Sequence, residues 1–395
     1  MPQVTLMPPP SFPRVRRFAL AACAAALLST PLHAAPPTTS AVLEHYAQLV
    51  HANYTDNVAA ARDLQRAVDA FVAAPSASAL EQARKAWLEA REWYGQSEAF
   101  RFYGGPIDGD DGPEGLINAW PLDEAYIDYV DGRADAGIIN NRAEAISAAR
   151  LAELNERGGE ENVATGWHAI EFLLWGQDRS ATGPGERPYT DFVDGQAANA
   201  DRRRLYLQTV TAMLVKELEA VAAAWTPNAA NYRAEFVASG QTGVSRMLTG
   251  LGTLSRGELA GERMEVAMDT QDQEDEHSCF SDNTHRDIVT NALGIQNVWE
   301  GRYLTRDGRR LEGASLSALV ADRNAAVAKA ASADIAASVK LAGAIQAPFD
   351  REIVGGDASP GRKRVRAVID ALKKQADSIV EAAKALGITR LNTSV

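Results

Sequence analysis

Residues 365–387, VRAVIDALKKQADSIVEAAKALG, carry the pattern that decides the fold. Val365, Val368, Leu372, Ala376, Ile379, Ala383 and Leu386 recur every three or four positions. That spacing puts them on one face of an α-helix and leaves lysines and acids on the other. Gly387 follows the last apolar position, where a helix stops by turning its backbone to positive φ. The same stripe recurs upstream. Leu207, Val210, Leu214, Leu218, Val221 and Trp225 form one, ended by Pro227. Leu80, Ala83, Trp87 and Tyr94 form another, opened by a capping box from Ser78 to Glu81 that satisfies otherwise unbonded amides. Long helices are also expected over residues 40–74, 142–156, 313–331 and 333–347. Alternating β-branched runs are scarce. Each amphipathic helix must bury its apolar face against another, so bundles follow. The expected fold class is all-α, with two packed four-helix-bundle-like domains, because the chain is too long for one bundle. Tyr103–Gly115, Arg179–Pro188 and Val354–Pro360 are rich in Gly and Pro and break the helical rule. The second of these places the expected domains at 36–195 and 196–395.

The chain has 395 residues, with 52 acidic and 40 basic side chains and a net charge of −12. An acidic balance argues against a nucleic-acid partner, which calls for a basic face to displace counterions from phosphates. It is compatible with a cation as partner. Two cysteines, Cys23 and Cys279, give no disulfide framework. Residues 1–35 read as a secretory signal: Arg14, Arg16 and Arg17, then a short apolar run FALAACAAALLSTPL, then small residues. The run is too short to remain as a membrane span. The expected location is therefore the periplasm or the outer membrane. A second reading takes Leu20-Ala21-Ala22-Cys23 as a lipobox, which would give the protein a lipid anchor on Cys23 and associate it with a membrane.

The segment Thr165–Asp178, TGWHAIEFLLWGQD, holds Gly166, His168 and Glu171 as G-x-H-x-x-E. On a helix, positions i and i+3 share a face with Cβ atoms about 5–6 Å apart, so an imidazole and a carboxylate there can close on one cation. Gly166 removes a side chain next to the histidine and lets a backbone or a ligand come close. Ile170, Phe172, Leu173, Leu174 and Trp175 bury the helix on most of its circumference, and a polar pair facing a buried interior needs partners. The competing reading of the pair is a hydrogen bond between His168 and Glu171 that only holds helices in register.

This motif resembles that of the imelysin family. The stretches AFRFYGGPIDGDDGPEGLINAWPLDEAYIDYV (99–130), QEDEHSCFSDNTHRD (273–287) and NALGIQNVWEGRY (291–303) are similar to that family's blocks upstream and downstream of it. The resemblance implies an all-helical envelope protein of two bundles. It also implies one of two activities: metal binding in iron acquisition, with an envelope uptake partner, or a metallopeptidase. A related group of iron-binding proteins carries a Glu at the end of its second helix and an Asp just after. By that similarity Glu98 and Asp108 join His168 and Glu171 as metal ligands, with Asp110 or Asp111 as substitutes for Asp108. One imidazole and three carboxylates suit a divalent or trivalent ion, iron first and zinc second, better than copper(I).

A second polar cluster, residues 274–285, contains Glu274, His277, Asp282 and His285. It reads either as a network locking the bundles together or as direct ligands. His277 and His285 are eight apart, two turns on an unbroken helix. The chain lacks H-E-x-x-H, H-x-x-E-H and G-x-S-x-G, so no catalytic base or nucleophile is singled out. The favoured function is a periplasmic metal-binding protein of iron acquisition. The alternative is a metallopeptidase using His168 and Glu171.

Overall fold

Eight α-helices of ten residues or more carry the architecture of the described residues: α1 (Thr39–Ala73), α2 (Ala77–Ser97), α3 (Gly166–Trp175), α4 (Ala200–Ala224), α5 (Gln241–Thr253), α6 (Thr284–Glu300), α7 (Ala325–Ala342) and α8 (Pro360–Ala385). In this computed structural model the described residues are 36–391, with Gln3 and Thr5. The export segment and the lipobox at Cys23 therefore lie outside the continuous described chain. The fold is all-α. The one sheet among the described residues is a small antiparallel hairpin of Arg302–Leu304 with Arg310–Glu312.

Local chemistry sets the helix ends. Thr38 and Ser76 sit in extended conformation and accept from the amides of Ala41 and Ala79. The cap of α2 is thus Ser76 and not the expected Ser78, which is already inside the helix and cannot reach an amide ahead of it. Gly387 has φ of 78°, as the stop of α8 requires. The helices expected over 313–347 divide at Asn324, because its side chain accepts from Val327 N; this ends Leu316–Arg323 and opens α7. Of residues 142–156, only Ala148–Leu154 is helical, opened by Ser147.

From Pro36 onward the described chain forms one compact unit, within which two sets of four helices can be followed. In the first, α1 lies against α2 and α4, and α3 bridges α2 and α4. In the second, α8 packs on α5 and α7, and α6 packs on α7. A π-wound continuation of α5, Leu254–Glu265, also packs on α8. Helix α4 lies beyond residue 195, yet it belongs with α1 and α3, so helices from both sides of that position share one group. The groups meet where α2 crosses α6. Glycine makes this crossing close: a Cβ on Gly95 would come within 2.0 Å of Thr290 Oγ1, and one on Gly294 within 2.3 Å of the Gln96 carbonyl. Asn291 Nδ2 donates to the Gly95 carbonyl at 3.1 Å across the same contact.

Between α2 and α3 the chain runs without long helices, and Asp128 pins it to α4. Its carboxylate accepts from Arg187 at 2.7 Å and from Arg203 at 2.6 and 2.9 Å, all three side chains being buried. Burial alone would lift the Asp128 carboxyl, but the Arg187 and Arg203 guanidiniums outweigh it and hold it below the usual range. A depressed carboxyl contributes its stability in full above the unfolded value of about 3.9, and that stability is lost as pH falls through the folded value. Asp128→Ala is expected to lower stability by about 3–5 kcal/mol at neutral pH, because buried Arg203 loses its counter-charge and Arg187 keeps only Asp191, at 3.2 Å. It should also flatten the acid limb of the pH–stability curve. Urea unfolding at neutral and acid pH checks both, and an unchanged midpoint at neutral pH would refute the role assigned to this pair.

Candidate metal centre

Helix α3 is buried over its whole length, so its polar side chains face other protein atoms. It begins on Gly166 at φ of 85°, with the Ile117 carbonyl 2.5 Å from where a Cβ would stand. What Gly166 admits is therefore the backbone of the Ile117 turn. His168 Nδ1 lies 2.9 Å from Glu171 Oε2, as the i, i+3 spacing predicts. Glu171 Oε1 accepts from the backbone N and the Oγ of Ser281, at 3.0 and 2.6 Å. Burial pushes the Glu171 carboxyl up to about 8, and burial holds His168 well below its usual value. At neutral pH both are uncharged.

A second imidazole stands beside the first. The rings of His168 and His277 are 4.7 Å apart between centroids and inclined at 64°. His277 comes from the loop ahead of α6 and its Nδ1 lies 3.2 Å from Asp287 Oδ2. Asp287 also receives Ser278 Oγ at 2.5 Å and the Arg91 guanidinium at 3.1–3.2 Å. Arg91 reaches on to Asn118 Oδ1 at 2.7 Å. Burial alone would raise Asp287, but the Arg91 charge and the His277 bond hold it far below the carboxylate range. Burial drives His277 down to about 4, with the Arg263 charge acting in the same sense. An ionised Asp287 beside a neutral imidazole puts the ring proton on Nδ1 and leaves a lone pair on His277 Nε2. The Nε2 atoms of both His168 and His277 are buried and have no hydrogen-bond partner.

The other expected ligands are placed differently. Glu98 is buried at the end of α2, where Oε2 accepts from Arg101 at 2.8 Å and from Arg263 at 2.6 Å, while Oε1 has no partner. Burial would raise its carboxyl, yet Arg101 and Arg263 lower it well below normal. The π-wound stretch after α5 delivers Arg263, which also binds Glu258 at 2.6 Å and Asn291 at 2.8 Å. Asp108 is engaged in its own glycine-rich loop, accepting from the amides of Phe102 and Gly105. Both its oxygens serve a turn, and Asp110 and Asp111 are exposed. In the 274–285 cluster, Glu274 is exposed, with Glu124 beside it. His285 Nδ1 lies 3.0 Å from the Asp282 carbonyl of its own turn. Asp282 has φ of 57°, so the helix presumed between His277 and His285 is broken there. Asp282 lies instead with Asp178 and Asp350, the one group among the described residues whose three donor atoms fall within 4.8 Å of one another. His168, Glu171, Glu98 and Asp108 do not form such a group.

Sequence reasoning did not reach Asp287 and Arg91, which organise His277. Asp287 ends the QEDEHSCFSDNTHRD block and was legible only as one more acid; Arg91 sits on an ordinary helical face. Their importance comes from being buried together, which periodicity does not show.

The all-α fold thus buries a pair of imidazoles, each bonded at Nδ1 to a carboxyl group. The chain belongs to the imelysin family: the family description Imelysin, of peptidase group M75, matches residues 50–379. It is similar to iron-regulated protein A of Synechococcus elongatus, with 26% identity over 352 residues, covering 85% of this chain and 84% of that one. Among solved structures, it is similar to a putative iron-regulated protein A precursor from Parabacteroides distasonis. That match has TM-score 0.67 and 19% identity, and covers 89% of this chain and 97% of the other. An imelysin-like protein from Psychrobacter arcticum 273-4 matches with TM-score 0.64 and 15% identity, over 92% and 100% of the two chains. These two structures establish likeness of fold.

Gly166→Ala is expected to cost about 1–3 kcal/mol for the positive φ alone, with a further loss from the contact with Ile117. Thermal unfolding followed by circular dichroism measures it. A melting temperature equal to that of the wild type would mean that the glycine is not there for the backbone approach.

Proposed function

We propose that this chain is an exported iron-binding protein of iron acquisition, with iron as its cargo at the centre formed by His168 and His277. The observation that carries the reading is the pair of buried imidazoles whose Nε2 atoms have no partner, each held at Nδ1 by a carboxyl group. Carboxylate–imidazole pairs of this kind orient a ligating nitrogen and raise its basicity. Imidazole nitrogens suit iron, with zinc as the competing ion; Glu98 Oε1 is also without a partner but does not fall into one donor group with the two rings. In this arrangement Glu171 is a positioning residue for His168, and Asp287 is one for His277. The kinship with a protein called iron-regulated supports iron over zinc. The signal-like residues 1–35 support the periplasm or outer membrane as the location, with an envelope partner receiving the iron. No helix among the described residues is long and apolar enough to cross a membrane.

The metallopeptidase reading rests on the family heading. His168 and His277 are 1% and 2% exposed, and Glu171 is committed to His168 and Ser281, so a peptide bond has no approach to a base here.

Two substitutions test the proposal by calorimetric titration with ferrous ion under anaerobic conditions. His168→Ala should abolish tight binding and keep helix content, since alanine is the best helix former. Glu171→Gln is the finer test. Glu171 can give up its proton when a cation takes Nε2 and then accept from His168 Nδ1, whereas with Oε1 still accepting from Ser281 the Gln amide nitrogen would donate to Nδ1 permanently and hold the ring proton on Nε2. Affinity should fall roughly 10–100-fold, the cost of losing such an outer partner, with little change in melting temperature. If neither variant differs from the wild type, or the wild type takes up no iron, the pair is a structural hydrogen bond. Cleavage of a denatured polypeptide by the wild type and not by His168→Ala would establish the peptidase.

A further inference from the structure

On the far side of the loop that carries His277 lies a second cluster, made only of carboxylates. Asp178 follows α3, Asp282 occupies the turn before α6, and Asp350 opens the short helix Asp350–Ile353. One oxygen of each falls within 4.8 Å of those of the other two, and all three residues are buried. Glu276 is the independent observation. It is fully buried, neither of its oxygens has a hydrogen-bond partner, and the charges that act on it are those of Asp350 and Asp282. Asp350 likewise has both oxygens without a partner, and Asp178 and Asp282 have one each. Among the described residues none of the four makes an ion pair, although buried carboxylates elsewhere in this chain, Asp128, Asp287 and Glu98, are matched by arginines. Four buried carboxylates side by side require either shared protons or a positive ion.

We propose that Asp178, Asp282 and Asp350, with Glu276 beside Asp350, form a cation site distinct from the histidine centre. It would take a hard, oxygen-preferring divalent or trivalent ion such as manganese, calcium or ferric iron. The donors are oxygen atoms only, which such ions prefer and copper(I) or zinc do not require. Asp178 also lines a cleft of about 780 Å³, together with Trp175, Gln177 and Glu186, which would be the route for an ion. The loop ties the two sites together: His277 and Ser281 turn to the histidine centre, while Glu276 and Asp282 turn to the acidic one. An ion bound there would thus engage two residues, Glu276 and Asp282, of the loop that carries His277.

The test uses the purified full chain stripped with a chelator and titrated separately with manganese, calcium and ferric citrate. Melting temperature and bound metal by elemental analysis are the readouts. The wild type should retain one of these ions and gain thermal stability with it. Asp350→Asn and Asp282→Asn should weaken that binding by more than the roughly 10–100-fold typical of an outer partner. Asp282→Asn is chosen because asparagine tolerates the positive φ of that position. Relief of repulsion should leave both metal-free variants at least as stable as the wild type. His168→Ala should keep this binding, which separates failure of this proposal from failure of the histidine reading. Absence of any stabilising ion, or variants that bind as the wild type does, would mean that the four carboxylates share protons instead.

Discussion

The salt bridge between Arg91 and Asp287 joins the two halves of the molecule and orders the site between them. Arg91 stands on α2 in the first group of helices and Asp287 on α6 in the second, and both are 1–2% exposed. A buried pair of this kind gains little against an apolar pair of the same shape, but either partner alone would be an uncompensated buried charge. That asymmetry makes it a device of register. The helices must bring Arg91 to Asp287, and Gly95 and Gly294 allow them to come close enough. Asp287 then collects His277 and Ser278 and so fixes the loop that faces His168.

Charge is treated in two opposite ways around this crossing. On one side Glu98, Glu258, Arg101 and Arg263 compensate one another in a connected network, which keeps Glu98 ionised despite complete burial. On the other side Glu276, Asp282, Asp178 and Asp350 make no ion pair among the described residues, and each has an oxygen without a hydrogen-bond partner. The histidine centre lies between these regions, with neutral imidazoles and a protonated Glu171. A low-dielectric interior strengthens bonds in a satisfied network and raises the cost of an unsatisfied one. The acidic cluster is therefore the place in the fold with most to gain from an added positive charge.

Glu171 shows how the reading of a motif changes once its surroundings are known. From spacing it is a ligand beside His168. In the fold it accepts two bonds from Ser281, more than a hundred residues away, and meets His168 at Nδ1. Both of its oxygens are thus engaged by protein groups, Ser281 on one side and His168 on the other. Asp108 changes in the same way, from a ligand expected by likeness to the anchor of a tight loop.

The sequence by itself determined the helical fold class, the long helices α1, α2, α4 and α8, the stop at Gly387, and the pairing of His168 with Glu171. All of these depend on contacts within a few residues, where the helix repeat converts spacing directly into geometry. It misplaced the start of α2 and the division at Asn324, because caps depend on which side chain reaches an amide and not on the apolar stripe. The tertiary structure alone decided that His277 stands beside His168, that Asp287 and Arg91 govern it, and that Asp178, Asp282 and Asp350 meet. These residues lie on segments separated by long stretches of chain, and their meeting follows from how helices pack around close glycine crossings. No local period records that geometry, so only the folded chain reveals which of its many acids are buried, which are paired, and which are left facing one another.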